Sequence, residues 1–139
     1  MKISTAVKSD RASWVSRARE VFDVEMSSMV RARDSLGDAF VDAVTLLHNT
    51  LESGGAIVIS GVGKNLPIAE KISATMSSTG SRSFVLNPVQ ALHGDLGMLS
   101  EKDCVLALSF SGESEEILKL LPAISRRGIK MIGITGKSD

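Results

Sequence analysis

The sequence predicts an α/β fold, a parallel sheet with flanking helices, preceded by an N-terminal helical pair. Three observations carry this. Ahead of Ala56 the apolar residues recur at three- and four-residue spacing; after it, short β-branched runs alternate with helical patterns; and glycine-bearing turns punctuate the alternation. Strands separated by helices read as βαβ units, which pair in parallel and collect ligands at the carboxyl ends of their strands.

The first helix is expected between Arg11 and Arg33. There Trp14, Val15, Ala18, Val21, Phe22, Met26, Met29 and Val30 fall on helical spacing, with Arg17, Arg19, Asp23 and Arg31 between them. Gly37 interrupts the pattern. A second helix follows with Phe40, Val41, Val44 and Leu47 on one stripe until Glu52-Ser53-Gly54-Gly55 ends it, so the pair occupies about residues 11–51. Such a pair either covers a sheet face or packs against another copy. The stripe of Trp14, Phe22, Met26 and Met29 reads as core or subunit interface rather than ligand pocket.

The α/β core is expected over about residues 56–139, with strands at Ala56–Ser60, Ser83–Leu86, Val105–Ser109 and Lys130–Thr135. Between them lie a glycine turn from Gly61 to Lys64, a helix carrying Ile68, Ile72 and Met76 on one face, and a helix from about Glu115 to Arg127. The last shows Ile117, Leu118, Leu120, Leu121 and Ile124, and Gly128 is its stop. Asn87 to Asp103 reads as an irregular crossing that carries His93-Gly94-Asp95-Leu96-Gly97. Loops of that length in a compact domain are often functional.

The chain has 139 residues, 43% of them apolar, with 16 basic and 16 acidic side chains, which suits one soluble domain with a single core. Its zero net charge gives no electrostatic case for a nucleic-acid partner or an anionic membrane. Cys104 is the only cysteine, so no disulfide framework is expected; it reads as a small hydrophobe entering a buried strand in a reducing cytoplasm. Met1 to Asp10 lacks an apolar signal core and no apolar run is long enough to span a bilayer, so neither export nor membrane spanning is expected.

Residues Val105 to Glu116 run from an apolar strand through Ser109, Ser111, Gly112 and Ser114 into an amphipathic helix. The first N–H groups of a helix have no intrahelical acceptor, and with the helix dipole they make a ready anion site. Three hydroxyls without lysine or arginine suit a phosphate monoester that must be held yet released. The same pattern also fits an N-cap serine followed by turn residues. Glu113, Glu115 and Glu116 crowd the first turn, where carboxylates stabilise a helix. They would also weaken anion binding, which makes one of them, Glu116, the candidate for proton chemistry.

Gly61-Val62-Gly63-Lys64 resembles a nucleotide-binding loop and fails the comparison. Val58 stands where a Walker loop needs glycine, and Leu66 where a dinucleotide fingerprint needs one. What survives is a second helix N-terminus at the carboxyl edge, with Lys64 and Asn65 able to reach the same cleft; a solvated lysine in a turn is the plain alternative. His93 lies beside Asp95; histidine is the side-chain type suited to proton transfer at neutral pH, and the residue also fits a structural or merely exposed loop histidine. His48 reads as local, near a helix C-terminus.

With the Gly-x-Gly-Lys loop, His-Gly-Asp-Leu-Gly-Met at positions 93 to 98, and Ser-Phe-Ser-Gly-Glu-Ser-Glu-Glu-Ile at 109 to 117, the chain resembles a sugar isomerase (SIS) domain of flavodoxin-like, doubly wound type. More closely it is similar to the D-arabinose 5-phosphate isomerases, from about Val21 to its last residue, with Ser77-Ser-Thr-Gly80 between the first two motifs. The resemblance implies a cofactor-free exchange of D-ribulose 5-phosphate and D-arabinose 5-phosphate through a cis-enediol, for Kdo, lipopolysaccharide or capsule precursors. It implies catalytic roles for Lys64, Glu116 and His93. Substrate contacts are expected from Gly63, Asn65, Gly80, Ser81, His93, Ser109, Ser111, Gly112, Glu113 and Ser114.

This chain also departs from the family. The first loop usually continues Lys-Ser-Gly, whereas here Asn65-Leu66-Pro67 follows, so contacts of a serine hydroxyl fall to the Asn65 amide. A histidine sometimes involved in metal binding is Asn87, and an acidic residue near it is Gln90, so no metal is expected. The family domain continues past Thr135-Gly-Lys-Ser-Asp139 with another strand, further helices and a glutamate and a histidine of the active site, and it commonly carries paired CBS modules. The chain is therefore expected to be a single SIS-type domain, 1–139, lacking its C-terminal part and leaving one sheet edge open. The partners expected are a small-molecule sugar phosphate and further copies in a homo-oligomer, dimer or tetramer, with no nucleic acid and no membrane. The alternatives are a non-catalytic sugar-phosphate-binding module or regulator and, third, an oligomerisation remnant.

Overall fold

The structure, a computed structural model, describes residues 11–136. The chain divides into two compact units, Met1–Phe40 and Val41–Asp139. In the first, α1 (Arg11–Asp34) runs without interruption because no glycine or proline falls inside it, and it closes where the Ser35 N–H donates to the Arg31 and Ala32 carbonyls. Its apolar stripe is exposed in the single chain, Trp14 by 63% and Met29 by 72%.

α2 (Asp38–Glu52) follows after Gly37. In the second unit Leu47 and Leu51 of this helix pack on the sheet's apolar layer and Thr50 is buried, while Val41 and Val44 stay exposed, as does Phe40. The expected stripe is thus split. Four strands follow, β1 (Ile57–Gly61), β2 (Ser83–Leu86), β3 (Cys104–Leu108) and β4 (Lys130–Ile134), each within a residue of its expected bounds. They form one all-parallel sheet in the order β2-β1-β3-β4. The α/β expectation holds.

Strand residues alternate between two apolar layers, as the period of two requires. Val58, Val105 and Met131 meet Leu86, Ala91, Leu120 and Ile124 on one face, covered by α4 (Pro88–Leu92) and α5 (Glu115–Arg126). Ile57, Ile59, Leu106, Leu108 and Ile132 meet Ala69, Ile72 and Met76 on the other, covered by α3 (Asn65–Ser78) and the end of α2. Burial of a side chain such as Ile57 or Ile59, both essentially inaccessible, contributes on the order of 1.5–3 kcal/mol. Ile68, expected on the packed face of α3, is instead exposed; Ala69 and Ser73 take that face.

At the amino edge the buried Asp103 carboxylate accepts from the Ala56 N–H at 2.8 Å and the Ser100 N–H at 2.7 Å, pinning the entries to β1 and β3 together. Cys104 beside it is fully buried, and burial pushes its thiol pKa up, partly offset by a hydrogen bond with Thr50. The expected irregular crossing is more ordered than its sequence suggests. Asn87 Oδ1 accepts from the Val89 N–H at 3.0 Å, Pro88 starts α4, and a 3₁₀ turn follows at Asp95–Met98. Short Asx-capped turns carry little apolar periodicity, so the pattern missed them. The described residues include no helix long and apolar enough to cross a membrane.

Candidate functional site

Two strand–turn–helix units put their turns side by side at the carboxyl edge of the sheet. β1 and β3 are neighbours, with Gly61 opposite Leu108, so the turn from Gly61 to Lys64 and the turn from Ser109 to Ser114 leave adjacent strand ends. This adjacency is a property of the sheet order, not of chain proximity.

In the second turn the buried Ser109 hydroxyl lies 2.8 Å from that of Ser114. Ser111 Oγ accepts from the Glu113 N–H at 3.1 Å, and the Gly112 N–H donates to the Ser109 carbonyl at 3.2 Å. Gly112 has φ of +73°, a conformation costly for any side-chain-bearing residue. Ser114 is the N-cap position of α5 without capping it, since its hydroxyl is turned to Ser109. The N–H groups of Glu115, Glu116 and Ile117 therefore find no acceptor among the described residues. Glu116 is half-buried at this end, while Glu115 is exposed and pairs with Lys119 at 3.2 Å. The turn is rooted on β4: Ser109 N–H donates to the Ile134 carbonyl and Gly136 N–H to the Phe110 carbonyl, both at 3.1 Å.

The first turn is built differently. Asn65 N–H donates to the Val62 carbonyl at 3.1 Å and Leu66 N–H to the Gly63 carbonyl at 3.2 Å, and Pro67 has no N–H. The first three residues of α3 thus offer no spare backbone donor. The expected second helix N-terminus at the carboxyl edge is present, and its turn presents the exposed ammonium of Lys64 beside Gly63. Asn65 points its amide at the Leu108 carbonyl, 3.2 Å away.

His93 ends α4 and is exposed; α4 itself starts from the carboxyl end of β2. No hydrogen bond joins His93 to either turn among the described residues. The Gly80–Ser81 pair lies elsewhere. It enters β2, whose first residue Ser83 pairs with Ile57 at the amino end of β1, roughly 13 Å of strand from the other edge. Within one chain Gly80 and Ser81 are not brought together with Lys64 and the serines.

Between the two turns and β4 opens a cleft of about 320 Å³ lined by Asn65, Ile68, Leu108, Ser109, Phe110, Ile134, Thr135 and Gly136. Its apolar wall was not foreseen. Phe110, 76% exposed, was given no role of its own and Ile68 was placed with Ile72 and Met76 on one helix face, and the pairing of β3 with β4 makes Ile134 and Thr135 their neighbours. Helix phase at Ile68, next to the buried Ala69, was the one signal that could have found it. No group of three or more His, Cys, Asp or Glu side chains is placed to hold a metal ion among the described residues.

Residues 50–139 match the SIS domain family. The chain is 38% identical over 137 residues to a probable arabinose 5-phosphate isomerase of Haemophilus influenzae, covering 99% of this chain and 40% of that protein. It is 40% identical over 131 residues to the arabinose 5-phosphate isomerase KdsD of Pseudomonas aeruginosa, covering 94% of this chain and 39% of that one. The chain thus spans about two fifths of the length of these curated relatives. Among solved structures it superposes on an Escherichia coli protein in complex with arabinose 5-phosphate with a TM-score of 0.85 at 33% identity, over 92% of this chain and 66% of the other. A candidate phosphosugar isomerase of Bacteroides fragilis involved in capsule formation matches with a TM-score of 0.77 at 36% identity, over 88% and 66%.

Proposed function

The chain belongs to the SIS domain family, and from that premise we propose that it serves an aldose–ketose isomerase that interconverts D-ribulose 5-phosphate and D-arabinose 5-phosphate. The observation that carries the reading is the pair of adjacent turns, one presenting a lysine and the other hydroxyls with three unclaimed helix N–H groups. Phosphate oxygens suit the α5 end, where neutral donors and the helix dipole hold an ester without a permanent cation. The sugar then extends toward Lys64.

In this reading Glu116 as carboxylate takes the proton from C1 of the ketose, and the electron pair forms the C1–C2 double bond while the carbonyl electrons move to O2. Lys64 steadies the charge on O2, the C1 hydroxyl proton passes to O2, and as the C1–O1 carbonyl forms the C1–C2 double bond takes the proton back from Glu116 at C2, giving the aldose and restoring the carboxylate. His93 is a further proton carrier reaching from the α4 loop, and Gly63, Gly112 and Glu113 contact the ligand through the turns. The reaction needs no cofactor. It supplies a precursor for lipopolysaccharide or capsule in the cytoplasm. The exposed stripe of Trp14, Phe22, Met26 and Met29 supports assembly into a homo-oligomer, since an isolated helix does not leave such side chains in water without cost.

The test is a coupled assay of ribulose 5-phosphate conversion by the chain, with Lys64→Ala and Glu116→Ala. Turnover reduced about 10²–10⁴-fold by the glutamate change is expected of a proton-transfer group. A folded chain that binds arabinose 5-phosphate without converting it would leave a sugar-phosphate-binding module, and one that does neither would end both readings.

A further inference from the structure

β1 ends at Gly61, opposite Leu108, the last residue of β3. Past that register the ladder has no residue of β1 left, and the Leu108 carbonyl accepts instead from Asn65 Nδ2 at 3.2 Å. Asn65 is the first residue of α3 and follows Lys64; Leu108 precedes Ser109. One partly buried amide thus adds a side-chain rung between the roots of the two turns. The approach is close. A Cβ on Gly61 would stand 2.9 Å from Asn65 Cβ and 3.1 Å from its carbonyl oxygen, so glycine there is what lets α3 begin so near the strand end. On its other side the serine turn is held by backbone, through the Ser109 N–H and the Ile134 carbonyl.

We infer that Asn65 is a positioning residue, coupling the Lys64 turn to the serine turn through the Leu108 carbonyl. Its amide was expected to replace a serine hydroxyl toward ligand; the geometry points to a clamp. The consequence for binding rests on the sugar-phosphate reading above, whereas the coupling does not. With the rung in place the ammonium and the hydroxyls keep one spacing, and without it each turn moves with its own helix.

The test combines amide hydrogen exchange over residues 108–114 with calorimetric titration by arabinose 5-phosphate, on the unaltered chain, Asn65→Ala and Asn65→Asp. The aspartate keeps the side chain's size and lacks the donor. Both variants should fold cooperatively and exchange about three- to tenfold faster in 108–114, as loss of one hydrogen bond implies, with β2 unchanged. Affinity should fall by a similar factor, and the penalty of Lys64→Ala should shrink in the Asn65→Asp background, a non-additivity that a merely structural asparagine does not produce. Asn65→Asp protecting the turn as well as asparagine would overturn the coupling. A loosened turn with unchanged affinity and additive Lys64 effects would overturn the positioning role. Failure of the unaltered chain to bind would remove the sugar-phosphate reading, and the exchange comparison would then decide the coupling by itself.

Discussion

The starts of α3 and α5 share one design, a strand of the same sheet, a short turn and a helix, and they offer opposite chemistry. At α3 the turn carbonyls of Val62 and Gly63 take the N–H groups of Asn65 and Leu66 and Pro67 has none, and the turn presents the charge of Lys64. At α5 the cap hydroxyl of Ser114 is bound to Ser109, and the N–H groups of Glu115 to Ile117 stay unclaimed among the described residues. A helix N-terminus is an anion site only when its own turn has not used its donors first. Proline and turn type, more than glycine content, separate the two.

That contrast can be broken by measurement. The largest effect is expected from Gly61→Ala, whose methyl meets Asn65 at 2.9 Å: about 1–3 kcal/mol of unfolding free energy, read by denaturant titration. Gly112→Ala should cost less, about 1–2 kcal/mol, because only its φ of +73° is at stake and the nearest neighbour, Thr135 Cγ2, is 3.7 Å away. The reverse order would mean that the serine turn, not the lysine turn, is the tightly packed one. Next, Ser109→Ala strips Ser114 of its buried partner and should cost about 1 kcal/mol, whereas the exposed Lys64→Ala should stay within about 0.5 kcal/mol. Equal thermal shifts for the two would erase the distinction between an internally bonded turn and a presented charge. The smallest effect is electrostatic. Raising salt from roughly 0.05 to 0.5 M should weaken arabinose 5-phosphate binding a few-fold, with the slope flattened by Lys64→Ala and kept by Ser111→Ala. A slope that survives the loss of Lys64 would place the cation elsewhere.

Much of the fold was legible because burial on a sheet imposes a period of two and on a helix one near 3.6, and both periods are written in Ala56–Leu86 and Glu115–Ile134. The SIS resemblance read from the three motifs agrees with the family match over residues 50–139. Exposure was less legible. Ile68, Leu118 and Leu121 fit helical spacing as well as their buried neighbours do, yet they face away from the sheet, because an apolar stripe wider than the contact is not all covered. For the site, the residue types at Lys64, Ser109, Ser111 and Ser114 were visible, whereas the partners of their donors were not.

The sequence by itself determined where the chain turns and which side chains stand at each turn, since glycines, serines and apolar periodicity act over a few residues. Only the tertiary structure decided which turns meet. The order β2-β1-β3-β4 sets the Lys64 turn beside the serine turn, and the parallel register of β2 on β1 leaves Gly80 and Ser81 at the opposite edge, although they are nearer to Lys64 in the chain. It also gave the Asn65 amide to the Leu108 carbonyl, 43 residues away. The physical reason is that sheet pairing joins backbones without regard to sequence separation, so the neighbours of a donor are fixed by strand order and register.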